Sequence, residues 1–346
     1  MADLPPTLNP ELTCSICIAN YNGEAMLRDC IDSVLAQDCV EAIEIIVHDD
    51  ASSDSSVALL QTIYPQVRLL QSETNVGFCV ANNRMVAHAR GEFVLLLNND
   101  AALLSDALAT LIGAARSRGS ATILTLPQYD WRSGELVDRG CLLDPFYNPV
   151  PNLDPARGEV AMAIGACLFL PHSMWEELGG FPEWMESIAE DLYLCCVARL
   201  RGHAVIALTA SGYRHRRGAT FSGERGNANK LTTTFRRRHL SERNKTTTLF
   251  VCTPTPLMSP LLVLHLLLLA SEGFVLTCAK RDTRVWRDIY GAALRELWSR
   301  RRELREARRN VQHSRTGGLF GYARAFTIMP WKLHMLLRHG LPTLRN

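Results

Sequence analysis

The chain has 346 residues, 47% apolar and 21% charged, enough to bury a sizeable core in one large domain with a smaller one beside it. Its net charge of +2 conceals an asymmetry: residues 1–200 hold 10 Lys/Arg against 27 Asp/Glu, a net of −17, whereas residues 201–346 hold 27 against 8, a net of +19. This argues against nucleic-acid binding by the N-terminal part and directs the C-terminal part toward an anionic surface.

Most of the 11 cysteines, such as Cys14, Cys17, Cys167, Cys195 and Cys196, lie in apolar runs, where Cys behaves as a small hydrophobe. Cys14 and Cys17 have metal or redox spacing, but no second pair follows, and on a strand residues three apart point to opposite faces. The start, MADLPPTLNPEL, has neither a basic nor an apolar leader region, so a reducing, cytoplasmic setting is expected.

In chain order, the pattern predicts a strand over Thr13–Ala19, a turn Asn20-Tyr21-Asn22-Gly23 and a helix over Glu24–Gln37. A strand at Ala42–Val47 ends in His48-Asp49-Asp50, and a turn that can cap a helix at Ser55–Ile63 follows. Then come a short strand at Val67–Leu70, a turn at Asn75-Val76-Gly77-Phe78, a helix over Cys79–Arg90, and the apolar strand Phe93–Leu97 running into Asn98-Asn99-Asp100. A helix over Leu103–Arg118 and a strand at Ala121–Leu126 continue the alternation, which implies βαβ units and a parallel sheet. Residues 127–159 are rich in Pro, Gly and Asp and read as loops with a possible hairpin. A strand over Ile164–Leu170 opens with Gly165-Ala166, small residues that let backbone approach a ligand. A short helix, an aromatic loop carrying Trp184, and a helix starting at Glu190-Asp191 follow. A strand at Ala204–Leu208 then leads to Tyr213-Arg214-His215-Arg216-Arg217-Gly218.

Three strands therefore end in polar clusters, NYN, HDD and NND, on one edge of a parallel sheet, where α/β sheets bind ligands. A carboxylate there, with two carboxamides beside it, suits a divalent cation and a hydroxyl-rich ligand. The G-x-G-x-x-G, G-x-x-x-x-G-K-[ST] and G-x-S-x-G motifs are absent, which excludes a dinucleotide-type Rossmann site, P-loop chemistry and a nucleophile elbow. After about residue 225 charge turns basic and helical periodicity takes over. Leu257–Ala279 is apolar but contains Pro260, His265 and Glu272, and its most apolar part, Leu261–Ala270, is too short to span a bilayer. Basic residues flank it on both sides. An interfacial or dipping helix, a packed soluble helix and a true span remain open readings. Leu294–Arg309 reads as a basic helix suited to an anionic lipid surface, or as a solvated charged face.

The ordered series NYNG, HDDASSD, NVGFCVANN, GEFVLLLNND, GACLFL, GGFPEW, AEDLYLCCVARLRG and YRHRRGATF, over about residues 13–221, resembles the family 2 glycosyltransferases, most closely a rhamnosyltransferase-type branch. Arg243-Asn244 and the basic tail resemble that branch less specifically. The resemblance implies an α/β fold of the GT-A type, with a mainly parallel central sheet over residues 1–225 and a basic, membrane-associating helical region over 226–346. It implies inverting transfer of a sugar from a nucleotide-diphosphate donor (UDP- or dTDP-linked, by analogy rhamnose) to a hydroxyl of a lipid-linked or cell-surface glycan. The setting implied is the inner face of the cytoplasmic membrane, with an anionic membrane surface and no nucleic acid as partner.

Under that resemblance the nucleotide-sugar is held by Asn20, Tyr21, Asn22, Asp49, Asp50, Asn75, Gly77, Asn82 with Asn83, Asn98, Asn99, Gly165, Ala166 and Arg217. A carboxylate at Asp49 or Asp50 can accept the imide N–H of uracil or thymine. Asp100 and His215 hold Mg²⁺ or Mn²⁺ on the diphosphate, and Arg214, Arg216 and Arg217 favour its charge electrostatically. The motif's first acid is Asn98 here, so the ion has fewer protein carboxylates, and Asn98 is assigned to ribose. Asp191 is the general base, Glu190 orients the acceptor or its loop, and Trp184 stacks on sugar or acceptor. Tyr193 stands where the family often has another acid. The reading requires Asp100 and Asp191 to open into one cleft. A sugar-nucleotide pyrophosphorylase, which needs a Gly-rich basic N-terminal loop, and a non-catalytic membrane scaffold are the alternatives.

Overall fold

A computed structural model describes residue 9, residues 11–216 and residues 232–345. By its internal contacts the chain divides into two compact units. The first comprises residues 1–141, 151–187 and 203–216; the second comprises 142–150, 188–202 and 217–346.

The first unit begins with β1 (Cys14–Asn20), α1 (Glu24–Leu35), β2 (Ile43–Asp49), α2 (Ser56–Ile63), β3 (Arg68–Gln71), α3 (Phe78–His88) and β4 (Phe93–Leu97). A three-residue strand β5 (Ala101–Leu103) precedes α4 (Ala107–Arg116), so the helix expected from Leu103 starts one turn later. Next come β6 (Thr122–Thr125), β7 (Gln128–Asp130) and β8 (Leu136–Asp138); the short strands β9 (Cys141–Leu143) and β10 (Pro149–Pro151) that follow lie mostly in the second unit. β11 (Cys167–Pro171) and α5 (His172–Leu178) follow.

After α6 (Glu190–Leu200), which belongs to the second unit, β12 (Ala204–Ala207) and β13 (Tyr213–His215) complete the first. Seven strands form one sheet in the order β12-β6-β11-β4-β1-β2-β3. It is parallel except for β11, which runs antiparallel to β4 and β6. Cys14, Ile16 and Ile18 of β1 and Phe93, Leu95 and Leu97 of β4 share one core with Leu27, Ile31 and Val34 of α1 and Leu108, Leu111 and Ile112 of α4. The alternate residues Cys17 and Leu96 are also buried and point to the other face, so these strands read as continuous apolar runs. A second, four-stranded sheet has the order β5-β13-β7-β8.

The second unit is helical. It adds β14 (Thr232–Thr234), α7 (Phe235–Cys252), α8 (Met258–Lys280), a π-turn at Val285–Tyr290, α9 (Gly291–Ser299), α10 (Arg301–His313), α11 (Leu319–Ala323), α12 (Trp331–His339) and β15 (Thr343–Arg345). The basic helix expected over Leu294–Arg309 is split between α9 and α10. Leu269 and Leu276 of α8 pack with Val285, Ile289 and Tyr290. Most of α7 is polar yet buried. Glu242 has no exposed surface and accepts from Lys332 at 2.8 and 2.9 Å and from Arg238 at 3.1 Å; Arg238 also pairs with Glu272 of α8, and Lys332 reaches Glu272 at 2.7 Å.

Candidate functional site

The sheet order sets β4, β1 and β2 side by side, so the three polar strand ends meet. The parallel register pairs Asn20 with Asp49. Asn99 donates through Nδ2 to Asn20 Oδ1 at 2.8 Å, and Asn20 Nδ2 donates to Asp49 Oδ2 at 2.9 Å, a buried ladder across three strand ends. Asp49 Oδ1 accepts from the Ser52 amide at 3.0 Å, while Ser52 Oγ accepts from the Asn22 amide at 2.8 Å. Asn22 itself is exposed and in the left-handed region at φ 49°, and its carboxamide accepts from the Ser53 amide at 2.7 Å. Gly23 lies so close under this ladder that a Cβ there would stand 2.2 Å from Asn99 Nδ2 and 2.3 Å from Asn20 Oδ1. Tyr21 projects outward and is 45% exposed.

Asp50 accepts with both oxygens, from the Val76 amide at 2.7 Å and the Gly77 amide at 2.9 Å. It thereby fixes the turn that carries Asn75, which is exposed, and Gly77, whose φ of 90° a side chain resists. Asn82 is buried and donates to the Phe78 carbonyl one turn back in α3, at 2.8 Å. Asn83 clasps the aromatic loop, donating to the Phe181 carbonyl at 2.8 Å and accepting from its amide at 3.0 Å. Asn98 is half-buried, and its amide donates to the Ala166 carbonyl at 3.2 Å; Gly165 and Ala166 are buried beside the β4 end. Trp184 sits half-buried in a single 3₁₀ turn, Glu183–Met185.

Asp100 and His215 come together although 115 positions apart: β13 pairs with β5 and β7, and His215 Nε2 stands 3.1 Å from Asp100 Oδ1. On its other side His215 Nδ1 lies 3.1 Å from Gln128 Oε1, which also accepts from the Tyr213 hydroxyl at 2.9 Å. Arg216 is turned away: its guanidinium pairs with Asp29 and stacks 3.9 Å over Trp131, and its amide donates to the Asp100 carbonyl at 2.9 Å. Arg214 is exposed. Arg217 lies outside the described residues.

Glu190 and Asp191 open α6 in the second unit, 6% and 7% exposed. Asp191 Oδ1 accepts from the Leu192 amide at 2.7 Å, favourable placement for a carboxylate at a helix N-terminus. Burial, and then the Asp191 charge beside it, push the Glu190 carboxyl up to about 8. Its Oε2 is buried without a hydrogen-bond partner. Two left-handed, non-glycine residues precede the pair, Ile188 at φ 71° and Ala189 at φ 70°. Strain of this kind costs about 1–3 kcal/mol per residue and concentrates at functional sites. Among these contacts Ser52, Gln128 and Gly23 are not marked in the sequence by any spacing. The HDDASSD turn points to Ser52 only in retrospect, and Gln128 has no signal at all.

Residues 15–178 match the family model described as glycosyl transferase family 2. The succinoglycan biosynthesis protein ExoO of Rhizobium meliloti is 32% identical over 117 residues, 34% of this chain and 33% of that protein. The matches cover about a third or less of the length of the most similar curated relatives. Among solved structures, residues 1–349 of Staphylococcus aureus TarS in complex with UDP align with a TM-score of 0.52 at 16% identity, covering 88% of this chain and 91% of that one. The mannosyltransferase PcManGT from Pyrobaculum calidifontis, in complex with GDP-Man and Mn²⁺, aligns with a TM-score of 0.52 at 16% identity, covering 93% and 89%. The fold is of the GT-A type, with a helical C-terminal region, and the likeness to the family 2 model is carried by residues 15–178, somewhat less than half of the chain.

Proposed function

We propose that this chain is an inverting family 2 glycosyltransferase that moves a hexose or deoxyhexose, by branch analogy rhamnose, from UDP or dTDP to a hydroxyl of a lipid-linked or cell-surface glycan. The transferase domain is assigned to residues 1–225, and the basic region 226–346 to contact with an anionic membrane surface on the cytoplasmic side. The observation that carries the reading is the ladder Asn99–Asn20–Asp49 at three adjoining strand ends, with the Asp100–His215 pair following the third of them. Asp49 keeps lone pairs beyond those its two protein partners use, so it can still accept a base N–H. Asp50 shapes the Asn75–Gly77 turn that would flank the base.

The donor set fits a divalent cation, Mg²⁺ or Mn²⁺, in part. Asp100 Oδ1 and His215 Nε2 are a hard oxygen and an imidazole nitrogen 3.1 Å apart. Among the described residues no group of three His, Cys, Asp or Glu is placed to hold a metal, so diphosphate oxygens and water must complete the shell. When bound, such an ion neutralises charge that develops on the departing diphosphate. Gln128 orients His215 from behind. Asp191 takes the acceptor hydroxyl proton, a contribution of about 10²–10⁴-fold for a positioned base. A neutral Glu190 leaves Asp191 without a like charge beside it and can donate a hydrogen bond to the acceptor.

The test is sugar transfer and slow donor hydrolysis by the purified chain with a panel of UDP- and dTDP-sugars and Mn²⁺. Asp191→Asn is expected to keep donor binding and lose transfer; Asp100→Ala is expected to lose metal-dependent donor binding in calorimetry. Full transfer by Asp191→Asn removes the base assignment. Triphosphate-dependent synthesis of the nucleotide sugar points to a pyrophosphorylase, and absence of both reactions leaves a scaffold.

A further inference from the structure

Helix α8 has 23 residues, about 34 Å at 1.5 Å per residue, and it is the one helix among the described residues long and apolar enough to cross a bilayer. Its two faces differ sharply. His265, Leu269, Gly273 and Leu276 are buried, and Glu272 is bonded inward. The exposed side carries Val263, Leu264, Leu267 (62% exposed), Leu268, Phe274 (66%) and Val275. At about 100° per residue these six fall within an arc of roughly 140°, and the five inward residues within the next 100° or so. An apolar stripe, broken within its arc by exposed Ser271, therefore faces out from Val263 to Val275.

The inward face is tied down at several levels. His265 Nε2 lies 2.7 Å from Thr246 Oγ1 of α7. Glu272 pairs with Arg238 of α7 and Lys332 of α12. Gly273 lets the Tyr290 ring close in; a Cβ there would stand 2.6 Å from it. If α8 crossed a membrane, α7 would have to cross with it, taking Arg238, Glu242 and Lys245 into hydrocarbon. Charges at that depth are prohibitive without strong compensation. The chain just beyond the stripe carries exposed Lys280, Arg281 and Arg287, and exposed Trp286 and Trp298 lie in the same unit. Cations following an apolar stripe, in a unit that also exposes two indoles, match an anionic lipid headgroup layer, whereas a second copy of this basic unit would bring like charges together.

We propose that α8 is an in-plane membrane anchor: its Val263–Val275 stripe enters the acyl boundary of an anionic bilayer while its inner face stays bonded to α7 and α12. The inference rests on the membrane reading of the C-terminal region and is independent of the transferase reading.

Cys278 supplies the test, since it is the one exposed cysteine, with Cys39 half-buried and the other nine buried. The full chain carrying Cys39→Ser is labelled at Cys278 with an environment-sensitive fluorophore and mixed with phosphatidylcholine vesicles, with and without phosphatidylglycerol. The expected result is a blue shift with the anionic vesicles, quenching by shallow rather than deep brominated lipids, and release of the protein by alkaline carbonate. Leu267→Glu and Leu268→Glu should each weaken vesicle binding about tenfold or more, the scale of losing one buried leucine, with donor hydrolysis unchanged. No vesicle binding overturns the membrane reading itself. Binding that resists carbonate overturns the in-plane placement alone and makes α8 a span. Binding that is unchanged in both variants but abolished by salt moves the contact to the basic helices. Monomerisation by these variants of a chain that is dimeric in light scattering assigns the stripe to a second copy.

Discussion

The carboxamide of Asn244 donates a 2.7 Å hydrogen bond to the carbonyl oxygen of Ile188, two residues before the Glu190-Asp191 pair. Asn244 is fully buried in α7, and its Oδ1 accepts from Arg243 Nε at 2.9 Å, while Arg243 in turn reaches Glu296 at 2.8 Å. A relay from α9 through α7 therefore holds Ile188 and Ala189 in the left-handed region, a genuine outlier for β-branched Ile188. Under the proposed function Asn244 acts as a positioning residue, through the carbonyl it holds two residues before α6 begins. Asn244→Ala is expected to lower kcat tenfold or more with donor Kd unchanged. Adding Ile188→Gly, which accepts the same φ without strain, should recover part of that loss. Unchanged kcat in Asn244→Ala would show that the segment holds itself.

Glu190 gives a pH signature. Its carboxyl is held up to about 8 by burial and then by Asp191. The folded state therefore keeps a proton that the unfolded chain has released above about 4.5. Stability is greatest below that value and falls as pH rises toward 8. Glu190→Gln is expected to melt higher than the parent at about pH 8, by roughly 1 kcal/mol or more, and to differ little at about pH 4. Melting curves across this range check it, and a variant whose gain is the same at both ends contradicts the assignment.

Gly23→Ala tests the carboxamide ladder. A methyl placed 2.2 Å from Asn99 Nδ2 and 2.3 Å from Asn20 Oδ1 must push one of them away. The expected outcome is a donor Kd raised tenfold or more, with about 1–3 kcal/mol of lost stability from overpacking. Calorimetric titration with UDP and dTDP reads the first, and denaturant unfolding the second. Parent-like affinity would separate the ladder from donor binding.

Glu242→Gln tests what holds the second unit. Burial raises the Glu242 carboxyl, but Lys245, Lys332 and Arg238 outweigh it and hold the group well below the usual range. Its stabilising contribution is present above about pH 4.5 and is lost as pH falls through its depressed value. Removing this charge takes the ion-pair partner from buried Lys245 and leaves Arg238 and Lys332 to share Glu272, at a cost of up to about 3–5 kcal/mol. Hydrogen exchange should show α7, α8 and α12 losing protection together at neutral pH, with little change in the seven-stranded sheet.

Much of the polar edge of the sheet was legible in the residues. Apolar runs ended by NYN, HDD and NND mark strands that deliver polar side chains to one edge, because a buried strand must stop where its polar groups begin. Alternation with helical periods gave the βαβ order, and the length of α8 was visible in its apolar run. Other features had no local signal. The antiparallel direction of β11 is invisible because strand propensity carries no direction. Asn82 looks like a donor ligand from its motif, yet the helix turns it inward onto Phe78.

The chain's own periodicity and charge thus determined the sheet, the polar strand ends and a basic helical C-terminal part, since each follows from which neighbouring residues tolerate water. Only tertiary structure decided the pairing of His215 with Asp100, the burial of Arg238, Glu242, Asn244 and Lys245 on a helix that composition would leave in solvent, and which side of α8 looks outward. Those depend on partners tens to more than a hundred positions away, and a polar side chain is stable inside only when such a partner meets it there.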